Sequence, residues 1–170
     1  MPVLPVVKCA VALLLLSMMG AAHAYSPSGL KADLVLVKKS ERKLVLLRDG
    51  QIFREFKVAL GSRPAGHKQY RGDDRTPEGR YWLDYKRSES NFYKAIHISY
   101  PNASDLSRAR ALGVDPGGSI MIHGFPNNNR EPPELAQRYN WTSGCIAVTN
   151  AEMDEIWASV EPGTPIEIAP

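Results

Sequence analysis

Along most of the chain the apolar positions fall in short runs with the period of strands rather than helices. From Ala32, three segments (ADLVLVKK, KLVLLRDG and QIFREFKVAL) are each about strand length and rich in Val, Leu, Ile and Phe. Asp49-Gly50 separates the second from the third. Glycine tolerates the positive backbone angle of a tight turn, so the pattern predicts a hairpin pairing Lys43 to Arg48 with Gln51 to Leu60. In RYWLDYKR, Tyr81, Leu83 and Tyr85 alternate with Trp82 and Asp84, as in a half-buried strand. KAIHISY, SIMI and PIEIA complete the predicted strands.

Helical spacing occurs twice. Ser104 to Leu112 places Leu106, Ala109 and Leu112 on one side, away from Arg108 and Arg110, and Gly113 ends the run. Thr149 opens a capping box with Glu152, followed by an apolar stripe of Met153, Ile156, Trp157 and Val160 that Pro162-Gly163 closes. Residues 61–80, with four glycines and two prolines, read as a long loop. Asp115 to Gly118 reads as a turn, and Phe125 to Trp141 as a loop with one helical turn at Pro133 to Arg138. The sum is a mostly β domain with two short helices, near the α+β boundary.

Composition changes this picture at the N-terminus. Lys8 precedes the apolar stretch CAVALLLLSMM, and Ala22-His23-Ala24 offers small residues where a signal peptidase reads. Residues 1–24 are therefore expected to be a cleaved signal peptide and 25–170 the mature domain, exported and in all expectation periplasmic. The apolar stretch falls short of the roughly 20 residues of a membrane span, and no later segment approaches that length. A net charge of +3 comes from scattered Lys and Arg, which gives nucleic-acid binding little support.

Removal of the leader takes Cys9 with it and leaves Cys145 alone, so that no internal disulfide can form. Cys145 is then an inert buried thiol, an intermolecular linker or a reactive group. Its setting favours chemistry. In the stretch SIMIHGFPNNNREPPELAQRYNWTSGCIAVTN, an apolar run ends in His123-Gly124 and a polar loop leads to Ser143-Gly144-Cys145. A thiol with an ordinary pKa near 8.5 needs a nearby base for efficient attack on a carbonyl, and His123 is the best candidate. The amides of Gly144 and Cys145 are the candidate donors for the oxyanion that such an attack creates. Candidate substrate contacts are Gly124, Thr142, Ser143, His97 and Trp141. His97, in mid-strand, also suits a packing role, and His67 is expected to be solvated in its loop. No close-spaced ligand pair such as CxxC or HxxxH exists, so neither a metal nor an organic cofactor is expected.

The His-Gly pair, a spacer and then TSGCI resemble the signature of the L,D-transpeptidase catalytic domain of the YkuD type, and TPEGRY is similar to a turn of that family. KAIHISYPN and SGCIAVTN resemble a short, single-domain subgroup of exported murein proteins. The resemblance implies a β-sandwich-like domain in which the cysteine attacks the L-centre carbonyl of meso-diaminopimelate in a tetrapeptide stem of peptidoglycan. D-Alanine leaves, and the thioester passes to an amine. It also implies that Cys145 is the nucleophile, His123 the base, oriented by a backbone carbonyl, and Gly144 the oxyanion turn. Ser143 and Ala147 stand where the family commonly has His and Arg. In the subgroup, water can replace the amine, which would make the protein a hydrolase that trims stems or releases a murein-linked lipoprotein. A reading of another class is a non-catalytic wall-binding module with an inert Cys145.

Overall fold

The computed structural model describes residues 29–128, 132, 135 and 137–170. The expected signal peptide, and half of the helical turn expected at 133–138, lie outside the described residues. The strands are β1 (Leu34–Lys38), β2 (Lys43–Arg48), β3 (Gln51–Lys57), β4 (Gly79–Ser90), β5 (Tyr93–Ile98), β6 (Met121–His123), β7 (Ile146–Ala147) and β8 (Thr164–Ala169). They form one sheet in the order β3-β2-β1-β8-β4-β5-β6-β7. The helices are α1 (Ala103–Leu112) and α2 (Asn150–Ser159).

The predicted hairpin is present. Arg48 pairs with Gln51, and Asp49 and Gly50 take φ values of 51° and 75°, the two positive angles that suit the twist of paired strands. Beyond β3 the chain does not leave the sheet. Ala59 bridges Ala147 antiparallel, with N–H···O bonds of 2.9 and 2.8 Å, and Gly61 bridges Thr142. The sheet thereby closes on itself at the segment that carries Cys145.

Inside lie Val35, Val37, Leu44, Leu46, Leu83, Ile96, Ile98, Ile122, Ile146, Ile166 and Ile168, all at most 2% exposed. Helix α2 adds Met153 and Ile156, begun by the predicted capping box of Thr149 and Glu152.

Two readings of side-chain direction are corrected. In α1 only Asp105 and Ala109 are buried, while Leu106 and Leu112 are 38% and 58% exposed. This helix is held by polar contacts: Asp105 accepts from Tyr81 Oη (3.0 Å) and from the N–H of Asn102 (2.9 Å), and it pairs with Arg108. His67 belongs to the same cluster and is not solvated. Its Nδ1 accepts from the N–H of Glu78 (3.0 Å), and its Nε2 faces Asp105 (3.1 Å). In β4 the inward alternation holds for Tyr81 and Leu83 but not for Tyr85, which is 43% exposed. The register between β4 and β5 shifts between Leu83 and Lys86. An extra residue in one strand moves the side chains after it to the opposite face.

Candidate active site

Strands β6 and β7 run parallel, with Ile122 opposite Ile146 and His123 opposite Ala147. Because side chains alternate along a strand, the two isoleucines enter the core while Met121, His123, Cys145 and Ala147 share the other face. On β5, Ala95 opposes His123 and His97 opposes Met121, which extends that face by one strand. Cys145 and His123 both line an open cavity of about 630 Å³, bounded by Ser119, Met121, Ala95 and the tip of the β4–β5 hairpin.

The histidine is prepared as a base. His123 Nδ1 lies 2.6 Å from the carbonyl oxygen of Gly124, which can only accept, so Nδ1 carries the proton and donates. Nε2 is left with a lone pair and makes no hydrogen bond among the described residues. Burial lowers the imidazole pKa from its usual 6.5, against a smaller opposing effect of the Gly124 carbonyl, so the ring is neutral at neutral pH. Phe92 packs against it with ring centroids 4.5 Å apart, and Trp141 stands edge-on at 5.9 Å.

Cys145 is half-buried, and its thiol donates to the carbonyl oxygen of Ser119 at 3.6 Å. Burial raises its pKa, while the backbone amide of Met121 and the Lys68 ammonium pull weakly the other way. At rest the pair is therefore thiol and neutral imidazole, not thiolate and imidazolium. Alkylation by iodoacetamide should accordingly be slower at pH 7 than that of a free cysteine and climb steeply above pH ~9. Mass spectrometry of the modified protein over a pH series checks this, and a fast rate already at pH 6 would contradict it.

The turn bearing the nucleophile is braced from two sides. Thr142 is buried; its hydroxyl accepts from the N–H of Gly144 (3.1 Å) and donates to the carbonyl of Cys145 (2.7 Å). The Gly144 N–H, expected as an oxyanion donor, is engaged by Thr142 in this structure. The N–H of Cys145 has no acceptor among the described residues. Behind the turn, a Cβ on Gly144 would sit 2.7 Å from the carbonyl oxygen of Arg75. Residues 68–76 are held in place by Asp73, 2% exposed, which accepts from Lys68 Nζ (2.7 Å) and from the amides of Gln69 (2.7 Å), Tyr70 (3.3 Å) and Arg75 (3.2 Å). Burial pushes the Asp73 carboxyl up, but these donors together hold it below the usual carboxylate range.

The other candidate contacts separate into lining and scaffold. Gly124 is scaffold: a Cβ there would meet Asn150 Oδ1 at 2.5 Å and Tyr93 Cβ at 3.0 Å. Ser143 is exposed. His97 lies on the cavity's face but outside its lining, bound to Asp84 (2.7 Å) and stacked on Tyr85 (4.5 Å). Trp141 backs His123, and its buried Nε1 has no partner among the described residues. The hairpin tip from Arg87 to Tyr93 also lines the cavity, which the sequence did not reveal. Asn127 ties the tip down, accepting from the N–H of Tyr93 (2.9 Å) and donating to the Ser90 carbonyl (2.8 Å). Only the pairing of Asn127 with a segment some 35 residues earlier would have shown this.

Residues 32–168 match the L,D-transpeptidase catalytic domain family, YkuD. The chain belongs to this family. A protein of Escherichia coli (strain K12), YafK, provisionally named an L,D-transpeptidase, is 33% identical over 132 residues, which are 74% of this chain and 46% of that protein. The chain thus spans about half the length of the curated relatives it matches. Among solved structures, the helical cell shape determining protein Pgp2 of Campylobacter jejuni superposes with a TM-score of 0.61 at 28% identity, covering 79% of this chain and 46% of that one. Bdellovibrio bacteriovorus Bd1075 does so with a TM-score of 0.55 at 27% identity, over 79% of this chain and 46% of its own. An L,D-transpeptidase from Xylanimonas cellulosilytica shares the fold, with a TM-score of 0.54 at 19% identity over 84% of this chain and 62% of its own.

Ala147, expected to stand in place of a family arginine, is fully buried, opposite His123 in register and bridged to Ala59 through the backbone. Among the described residues no cluster of three metal-ligating side chains occurs, and no helix is long and apolar enough to cross a membrane.

Proposed function

We propose that this protein is an exported cysteine acyltransferase acting on peptidoglycan stem peptides. The observation that carries the reading is the shared face of β6 and β7, from which Cys145 and a correctly tautomeric His123 line one open cavity. His123 Nε2 takes the thiol proton as the sulfur attacks the carbonyl at the L-centre of meso-diaminopimelate. The tetrahedral oxyanion meets the N–H of Cys145. Collapse breaks the C–N bond to D-alanine, whose amine nitrogen receives the proton from the imidazolium. The resulting thioester is then attacked by an acceptor amine, and sulfur leaves as the thiol. Membership in a family with relatives such as the cell-shape protein Pgp2 supports a place in cell-wall biogenesis.

Ala147 favours a second outcome of the same thioester. With Ala147 in place of an arginine, no cation at that position fixes the carboxylate of an acceptor, and water can take the amine's place, which would trim stems or release a murein-linked lipoprotein. Product analysis decides. Purified protein with tetrapeptide muropeptides and a D-amino acid should give exchanged or cross-linked products if it transfers, and only shortened stems if it hydrolyses. No product of either kind, together with unchanged wall chemistry after Cys145 is alkylated, would favour a wall-binding module.

A further inference from the structure

The face that carries the catalytic pair does not end at the cavity. Across β5 and β4 it continues through His97, Asp84 and Tyr85 to Trp82, whose backbone pairs with Ser99, with Ser99 N–H donating to the Trp82 carbonyl (2.9 Å). Trp82 is 57% exposed, an unusual state for the largest apolar side chain in the middle of a strand. It stands at a second groove, of about 350 Å³, with Pro165 opposite it in register. Asp33, Arg80 and Glu167 also line that groove, and Arg80 Nε bonds Glu167 at 3.1 Å. An open indole face rimmed by carboxylates and a guanidinium suits a pyranose ring, whose C–H face stacks on the aromatic while its hydroxyl and acetamide groups bond the charged rim. At about 3.3 Å per residue, the five positions from Trp82 to Arg87 place the groove roughly 16 Å from the hairpin wall of the cavity.

Resting on the function proposed above, we propose that the groove at Trp82 binds the glycan strand of peptidoglycan while the stem peptide attached to that strand occupies the cavity at Cys145. The exposed aromatic Tyr85 lies between the two along one face, so a single polymer can engage both sites. The ligand is an N-acetylated amino-sugar chain, recognised independently of its peptide.

Sedimentation with chitin, and with glycan strands stripped of peptide, tests the site without requiring turnover. A C145A protein should bind both, and W82A in that background should bind roughly tenfold more weakly, with W82F intermediate. In the active protein, W82A should process intact sacculi poorly while cleaving a sugar-free tetrapeptide within about twofold of the parent, which also shows that the variant is folded. Equal binding by C145A and C145A/W82A, or no binding of the parent to either glycan, overturns the proposal. Failure of the acyl-transfer reading shows separately, as absence of Cys145-dependent turnover of the sugar-free peptide.

Discussion

H123A should lose about a thousandfold in kcat/KM at pH 7, with KM for the stem peptide changed far less. The reason is the resting charge state of the pair. Burial raises the Cys145 pKa and lowers that of His123, so in the proposed mechanism the sulfur ionises only as its proton is handed to Nε2 during attack. Loss of the imidazole removes the acceptor and leaves almost no spontaneous thiolate. Two pH signatures follow. In the parent, activity should hold down to about pH 6.5 and fall only below it, because the folded imidazole stays deprotonated past its usual range. In H123A, activity should instead rise with pH as bulk hydroxide deprotonates the thiol. A flat profile in the variant, or a parent that loses activity already below pH 8, would exclude His123 as the base.

G144A should be a strongly damaging single-methyl change. Gly144 holds φ at 127°, a region costly to any residue with a Cβ, and the added carbon would lie 2.7 Å from the Arg75 carbonyl oxygen and 3.2 Å from Ile120 Cδ1. Neither neighbour can withdraw easily. Arg75 is fixed by the buried Asp73 through its N–H, and Ile120 is 3% exposed. Backbone strain and overpacking together should cost about 3 kcal/mol. For a domain of this size the melting temperature should drop by roughly 10 °C, measured by circular dichroism, and the proposed acyl transfer should be lost because the turn that carries Cys145 is displaced. A melting temperature within a degree or two of the parent would show that the turn relaxes and that its geometry is not fixed as described.

What could be read from the sequence was whatever a local period encodes. The β2–β3 hairpin follows from Asp49-Gly50, and the inward face of α2 from the spacing of Met153 and Ile156 behind a capping box. Cys145 and His123, singled out because both sit where an apolar run meets glycine, line one cavity. Illegible were features set by distant partners. The polar seat of α1 depends on Tyr81 and His67, which no helical periodicity reports. The outward turn of Tyr85 depends on a register shift against β5. The engagement of the Gly144 donor depends on Thr142 being turned inward by its own pairing with Leu60, whose carbonyl accepts the Thr142 N–H at 3.2 Å. The hairpin tip over His123 is placed by Asn127, across a separation that sequence patterns do not span.

The mutual bonds between Ala59 and Ala147 have a bearing on how the protein avoids association between its own copies. β7 is two residues long and would otherwise be a ragged margin, open to strand addition by a neighbouring molecule. With that margin occupied from within, the segment that follows Cys145 is not free to accept a strand from a neighbouring molecule.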